Sequence, residues 1–215
     1  MFRPCIGIIS YFPDKEELRN ERVYRCRFFF DQLREYFPDV PIIVIAQNWR
    51  NEIDISDNMM VYSYDKPLTI LGARRTLTQK FLFSDYTHII TFDDDCVLRG
   101  GRESAIKFLA FVGRNQDRYI NQRNLFKLSV FPRRIFEKYP LPDMQTEKGE
   151  GMEDLAYFEI LRQHERGILD ISETGLSETS EWRYDSYSTY ERPSASKLLK
   201  NTASYIKKQQ KGVKK

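Results

Sequence analysis

Three consecutive carboxylates, Asp93, Asp94 and Asp95, close the apolar stretch that begins at His88, and a second acidic pair, Glu153 and Asp154, stands at the start of a later periodic segment. Like charges packed this closely repel one another unless a cation offsets them. Mg²⁺ or Mn²⁺ suits an all-oxygen set and usually completes its shell with water and substrate phosphates. The first group is therefore a candidate for holding a metal and the second for accepting a proton. The plainer reading of each is a solvated acidic turn after a strand and a helix start favoured by the macrodipole.

Groups of this kind need a frame. His88–Leu98 reads as a buried strand, and buried strands flanked by helices belong to sheets covered on both faces, where ligands sit beyond the carboxyl ends of the strands. Upstream, Cys5–Ile9 is an apolar run entering a loop, with Ser10 and Tyr11 placed to meet a nucleotide. The spacing of Leu18, Cys26, Phe30, Leu33 and Phe37 predicts a helix over Glu16–Phe37, along which Arg19, Arg22 and Arg25 form a second stripe, either solvated or turned toward an anion. Ile42–Ala46 and Met59–Tyr64 read as strands. Leu68–Phe83 reads as a helix that Gly72-Ala73-Arg74-Arg75 opens.

Beyond the aspartates, Arg102–Gly113 is expected to be helical, Asn124–Phe131 a strand, Pro132–Tyr139 a short helix and Pro140–Gly151 a loop. A helix to about Gln163 and a last short strand, Ile168–Ile171, follow. The predicted class is α/β: one Rossmann-like domain over residues 1–192 with a mostly parallel central sheet covered by helices on both faces.

Four places together resemble the GT-A class of nucleotide-sugar-dependent glycosyltransferases, especially the inverting, family 2-like kinds. They are the strand and loop Ile6–Asp14, the Gly72-Ala73-Arg74-Arg75 helix start, the Asp93-Asp94-Asp95 triplet where that class has its Asp-x-Asp signature, and Gly149-x-Gly151-x-Glu153-Asp154. The resemblance implies a nucleotide-sugar half, 1–100, and an acceptor half, 101–192. It implies that Asp93 and Asp94 stand with the nucleotide-contacting residues, that Asp93 and Asp95 hold Mn²⁺ or Mg²⁺, and that Arg74 or Arg75 meets phosphate or base. Asp154 would be the general base and Glu153 would shape the acceptor site. A UDP-sugar is the expected donor. The class often supplies a third metal ligand, commonly His, after the last strand; no histidine follows His164, so Glu173, Ser177, Glu178 or water must stand there.

The 215 residues carry 41% apolar side chains, including 15 Phe and 13 Tyr, enough for a substantial core. Cys5, Cys26 and Cys96 show no paired spacing, which suits a reducing cytosol, and two histidines argue against zinc. No apolar run is long enough to span a bilayer, so a soluble cytoplasmic protein is expected. Net charge is +3, but seven lysines and no acid lie between Pro193 and Lys215, leaving −4 for residues 1–192. That basic tail suits DNA or an anionic membrane surface, and with catalysis it points to a DNA acceptor such as a hydroxymethylated base. Two other readings fit parts of the pattern. One is a non-catalytic nucleic-acid or anionic-surface binding protein. The other is a haloacid dehalogenase-like phosphohydrolase, from Asp93-x-Asp95, although in that class the motif follows the first strand.

Overall fold

Alternation organises the sheet. Along Pro4–Tyr11 (β1), Ile6 and Ile8 face one side and Cys5 the other; along Ile42–Gln47 (β2), Ile42, Val44 and Ala46 oppose Ile43 and Ile45. Both sets are buried, which marks strands covered on both faces. In the computed structural model, residues 1–121, 127–141, 153–168 and 170–179 are described, with the backbone alone for 153–156.

Helix Glu16–Tyr36 (α1) carries the chain from β1 to β2, and Met59–Tyr64 (β3) adds to the outer side of β2. Helix Ile70–Phe83 (α2), capped by the Thr69 hydroxyl accepting from Gly72 N–H at 3.0 Å, returns the chain across the sheet. His88–Asp93 (β4) then pairs with the free side of β1. Three further strands extend the sheet, Tyr119–Asn121 (β6), Ser129–Pro132 (β7) and Gly167–Ile168 (β8), with the helices Arg133–Lys138 (α4) and Glu153–His164 (α5) between the last two. The spatial order is β3-β2-β1-β4-β7-β6-β8. β7 runs antiparallel to both β4 and β6, and the remaining pairings are parallel. The expected class is borne out.

α1 and Gly101–Arg114 (α3) cover one face with Phe29, Phe30, Leu33, Phe108 and Val112; α2, α4 and α5 cover the other with Leu77, Phe81, Phe136, Tyr157 and Leu161. A Cβ on Gly7 would stand 2.5 Å from Ile89 Cδ1 and 3.1 Å from Leu77 Cδ2, so α2 seats on β1 only because residue 7 has no side chain.

Several details differ from the sequence expectation. The stretch His88–Leu98 is two strands: β4 stops at Asp93, the chain turns, and Val97–Arg99 (β5) pairs antiparallel with Ser177–Thr179 (β9) as a separate ribbon. Gln32 of α1 holds the other edge of β5, its amide accepting from Leu98 N–H and donating to Leu98 O, both at 2.9 Å. The strand expected over Asn124–Phe131 is Ser129–Pro132, and residues 122–126 lie outside the described ones. The last strand is shorter than expected, because Ile171 turns into a 3-10 segment at Ser172–Thr174. Most of the stretch expected to be a loop, Pro140–Gly151, lies outside the described residues, as do the aromatic stretch Trp182–Tyr190 and the lysine tail. Among the described residues no helix is long and apolar enough to cross a membrane.

Candidate functional site

β1 connects outward to β2, whereas the α2 crossover returns the chain to β4 on the opposite side of β1. The connections at the carboxyl ends of β1 and β4 therefore lead away in opposite directions, the place where open α/β sheets receive ligands. Ile9 is in register with Asp93, so the acidic turn and the loop after β1 flank this crevice.

The turn divides its carboxylates. Asp94 is wholly buried against α1 and forms an ion pair with Arg22 Nη2. Arg22 Nη1 lies 2.5 Å from Asp95 Oδ2, so one guanidinium bridges both acids. Asp93 pairs with Lys127 Nζ at 2.9 Å. The side chains of Asp93 and Asp95 are 33% and 19% exposed and reachable from the crevice; Asp94, at 2%, is not. Burial pushes the Asp94 carboxyl up to about 6 against the pull of Arg22, with Asp95 adding to the rise.

A fourth acid belongs to this group. β9 turns Glu178 toward the aspartates, and burial, helped by the charges of Asp93 and Asp95, pushes it up to about 8 against the pull of Lys127. Of the three residues considered for a third ligand, Glu178 is the one in the cluster. Glu173 lies out on the surface 3.7 Å from Arg114, and Ser177 sits opposite Arg99 in the ribbon.

Four carboxyl groups here face the two cations Arg22 and Lys127, and Asp94 Oδ2 and Glu178 Oε2 are buried without a hydrogen-bond partner among the described residues. With all four carboxyls ionised the formal deficit is two positive charges, and that deficit and the hard oxygen donors fit a divalent cation such as Mn²⁺ or Mg²⁺, whose binding would release the Glu178 proton. Among the described residues no three His, Cys, Asp or Glu side chains converge tightly enough to hold such an ion unaided, so it would need further oxygen donors from outside this set.

Ser10, expected to meet a nucleotide, is instead fully buried. Its hydroxyl accepts from Trp49 Nε1 at 3.1 Å and lies 3.6 Å from Cys26 Sγ, close to Asp94. Tyr11 is 38% exposed at the mouth of the crevice. Arg74 and Arg75 lie on the first two turns of α2, partly buried and already engaged. The arginine stripe of α1 is neither solvated nor open. Arg19 is buried and donates to Glu52 Oε1 at 2.6 Å, Asn48 O at 2.7 Å and Pro13 O at 3.3 Å, tying together the loops after β1 and β2. Arg25 is buried and paired with Glu21.

Glu153 and Asp154 form the first turn of α5. β8 follows that helix almost at once and runs in the direction of β4, so α5 runs opposite to β4. Its first turn is thus at the carboxyl rim, the side on which β4 ends. Their side chains lie outside the described ones.

Two histidines and the cysteines have structural places. His88 is buried, bonded to Thr87 Oγ1 and Gln116 O, both at 2.9 Å; exposed His164 stacks on Tyr139. Burial pushes the Cys96 thiol well up, away from nucleophilic character.

Lys127 escaped the sequence reading, and Arg22 was read only as one of a stripe either solvated or turned toward an anion, with no acid named as its partner. For Arg22 a signal existed: it lies four residues before Cys26, on the same helical face, so the charged and apolar stripes overlap.

No protein-family model matches the sequence, and no curated protein matches it significantly. Among solved structures, the chain is similar to a Desulfovibrio desulfuricans G20 protein provisionally described as a nucleotide-diphospho-sugar transferase. The two are 13% identical over 97% of this chain and 98% of that one, with a TM-score of 0.52. It also matches S. aureus TarS, at 10% identity over 73% of this chain and TM-score 0.45, and TarS 1–349 in complex with UDP-GlcNAc, at 9% identity over 71% and TM-score 0.43. The chain spans 34% of the first and 54% of the second. At this level of identity the likeness is one of fold: the mostly parallel seven-stranded sheet with helices on both faces is shared, end to end, with the Desulfovibrio nucleotide-diphospho-sugar transferase structure.

Proposed function

We propose that the protein is a glycosyltransferase that moves a sugar from a nucleotide-diphosphate donor to an acceptor hydroxyl. The observation that carries the reading is the position of the acidic turn. Asp93 and Asp95 stand partly exposed where the connections leaving β1 and β4 diverge, in a fold shared over 97% of the chain with a protein provisionally described as a nucleotide-diphospho-sugar transferase.

Asp93 and Asp95, with Glu178 behind them, are the residues that would hold Mn²⁺ or Mg²⁺. When bound, that ion offsets the charge of the departing nucleoside diphosphate. Tyr11 borders the donor crevice, and Arg74 and Arg75 are assigned to its phosphates or base. Asp94 is assigned to positioning, since its carboxyl is buried; Ser10 supports it from beneath.

For the second half of the reaction, Asp154 is assigned as general base, with Glu153 shaping the acceptor site. The first turn of α5 is on the rim of the crevice, and a base needs hydrogen-bond reach to the hydroxyl whose proton it takes. Attack from that side, opposite the leaving nucleotide, gives inversion. The acceptor we favour is DNA, on the strength of the seven-lysine tail. Three buried, unpaired cysteines suit a reducing compartment, the cytoplasm.

A panel of UDP-, GDP- and other nucleotide sugars with Mn²⁺ tests the donor half. At least one, a UDP-sugar first, should raise the Tm of the wild type, and Asp95→Ala should abolish the shift. If no nucleotide sugar shifts the wild type and phosphate esters are hydrolysed instead, the protein is a phosphohydrolase.

A further inference from the structure

Arg22 reaches the aspartate turn from α1, an element that contributes no carboxylate to it. Its guanidinium is divided between an acid sealed in the core, Asp94, and an acid open to the crevice, Asp95 at 2.5 Å. The two contacts differ in permanence. Asp94 is buried and, among the described residues, is ion-paired with Arg22 alone, so this pairing anchors the guanidinium; breaking a buried pair by removing one partner is strongly destabilising. Asp95 faces the crevice, where an incoming ion competes for the same oxygens.

We infer that Arg22 is a built-in counter-ion that occupies Asp95 while the crevice is empty and must give it up when a divalent cation is taken, so that this side chain sets the affinity of the site for metal. The inference rests on the metal-binding reading of Asp93 and Asp95 given above. Arg22 is thus a positioning residue, acting through Asp95 and not on substrate. It explains how four clustered acids are tolerated in the empty protein. It also makes a bare cation a poor ligand, because binding must displace a fixed positive charge. A cation arriving with a nucleoside diphosphate brings its own anionic partner, which offsets the repulsion from the displaced guanidinium. Metal and donor are therefore favoured together over metal alone.

Electrostatic competition and structural support predict opposite signs, which makes the inference testable without turnover. Mn²⁺ binding to the full chain, followed by the loss of the free-ion electron paramagnetic resonance signal, should tighten in the order wild type, Arg22→Lys, Arg22→Gln. The lysine keeps the charge beside Asp94 but cannot span both acids. The glutamine removes the charge, and a unit charge this close is worth roughly tenfold or more in affinity. Circular dichroism establishes that each variant is folded; should Arg22→Gln fail to fold, Arg22→Lys against the wild type decides. Binding equal to or weaker than the wild type in the folded variants overturns the inference. Asp95→Ala separates the two levels. If it binds Mn²⁺ as the wild type does, or if no protein in the series binds the ion, the metal reading itself fails and the inference with it.

Discussion

Leu98 and Glu178 face one another across the β5–β9 ribbon, and that pairing is what brings a residue far along the chain against the Asp93–Asp95 turn. The ribbon gives the site an acid whose protonation is tied to folding.

The sign of that linkage follows from the raised value. Glu178 rises from an ordinary 4.5 to about 8 on folding, so the folded protein binds a proton that the unfolded chain has released. Its contribution is fully present below about pH 4.5 and is lost as pH rises through 8. In chelator-treated protein, Tm should fall between pH 7 and 8.5, above the range where Asp94, at about 6, titrates. Glu178→Gln should flatten this decline. A wild-type slope retained by the variant would assign it to another group.

Asp154→Asn should separate donor binding from chemistry. Losing a general base typically costs about 10²–10⁴-fold in rate. Release of nucleotide from the donor should fall by that factor while the donor-induced Tm shift stays. Loss of both would place Asp154 in the donor site, and loss of neither would remove it from the mechanism.

Arg133 gathers the end of α2. Its guanidinium donates to the carbonyls of Phe81, Leu82, Ser84 and Tyr86 at 2.6–3.1 Å, and lies over the Phe81 ring. An ammonium has the same charge but not the fork, so Arg133→Lys leaves buried carbonyls unserved. The expected cost is about 1–3 kcal/mol, read as a fall of several degrees in Tm with nucleotide-sugar affinity unchanged.

Truncation after Pro193 removes seven lysines. Retention on a DNA column should become weak and lose its salt dependence, with the nucleotide-sugar Tm shift intact. Unchanged retention would exclude the tail as the DNA contact.

The elements legible in the sequence were those with a long enough period. β1, β2, β3, α1 and α2 come out within a residue or two, because runs such as Ile42–Ala46 bury both faces and Cys26, Phe30, Leu33 and Phe37 repeat at helical spacing. Strands of two or three residues, such as β6 and the β5–β9 ribbon, have no period to read, and the direction of β7 is written in its partners and not in its own residues. At the site, the cluster of Asp93, Asp94 and Asp95 was visible, but its division was not. Which carboxylate is sealed depends on Arg22, 72 residues earlier in the chain, and which is offset depends on Lys127. Charges on a helix usually meet water; Arg19 and Arg25 are buried and Arg22 half-buried because the acids Glu52, Glu21, Asp94 and Asp95 accept them.

β1 precedes the other strands of the sheet in sequence, yet it lies inside the sheet and not at an edge. β1 has β2 on one side and β4 on the other, so its second edge is not filled until residue 93 has been synthesised and has cleared the exit tunnel. A polypeptide halted before His88 leaves the apolar segment Cys5–Ile9 with a bare row of amides and carbonyls, a template for self-association. A chain that stops short of β4 is therefore expected to self-associate along β1, and synthesis has to shelter that strand until β4 arrives.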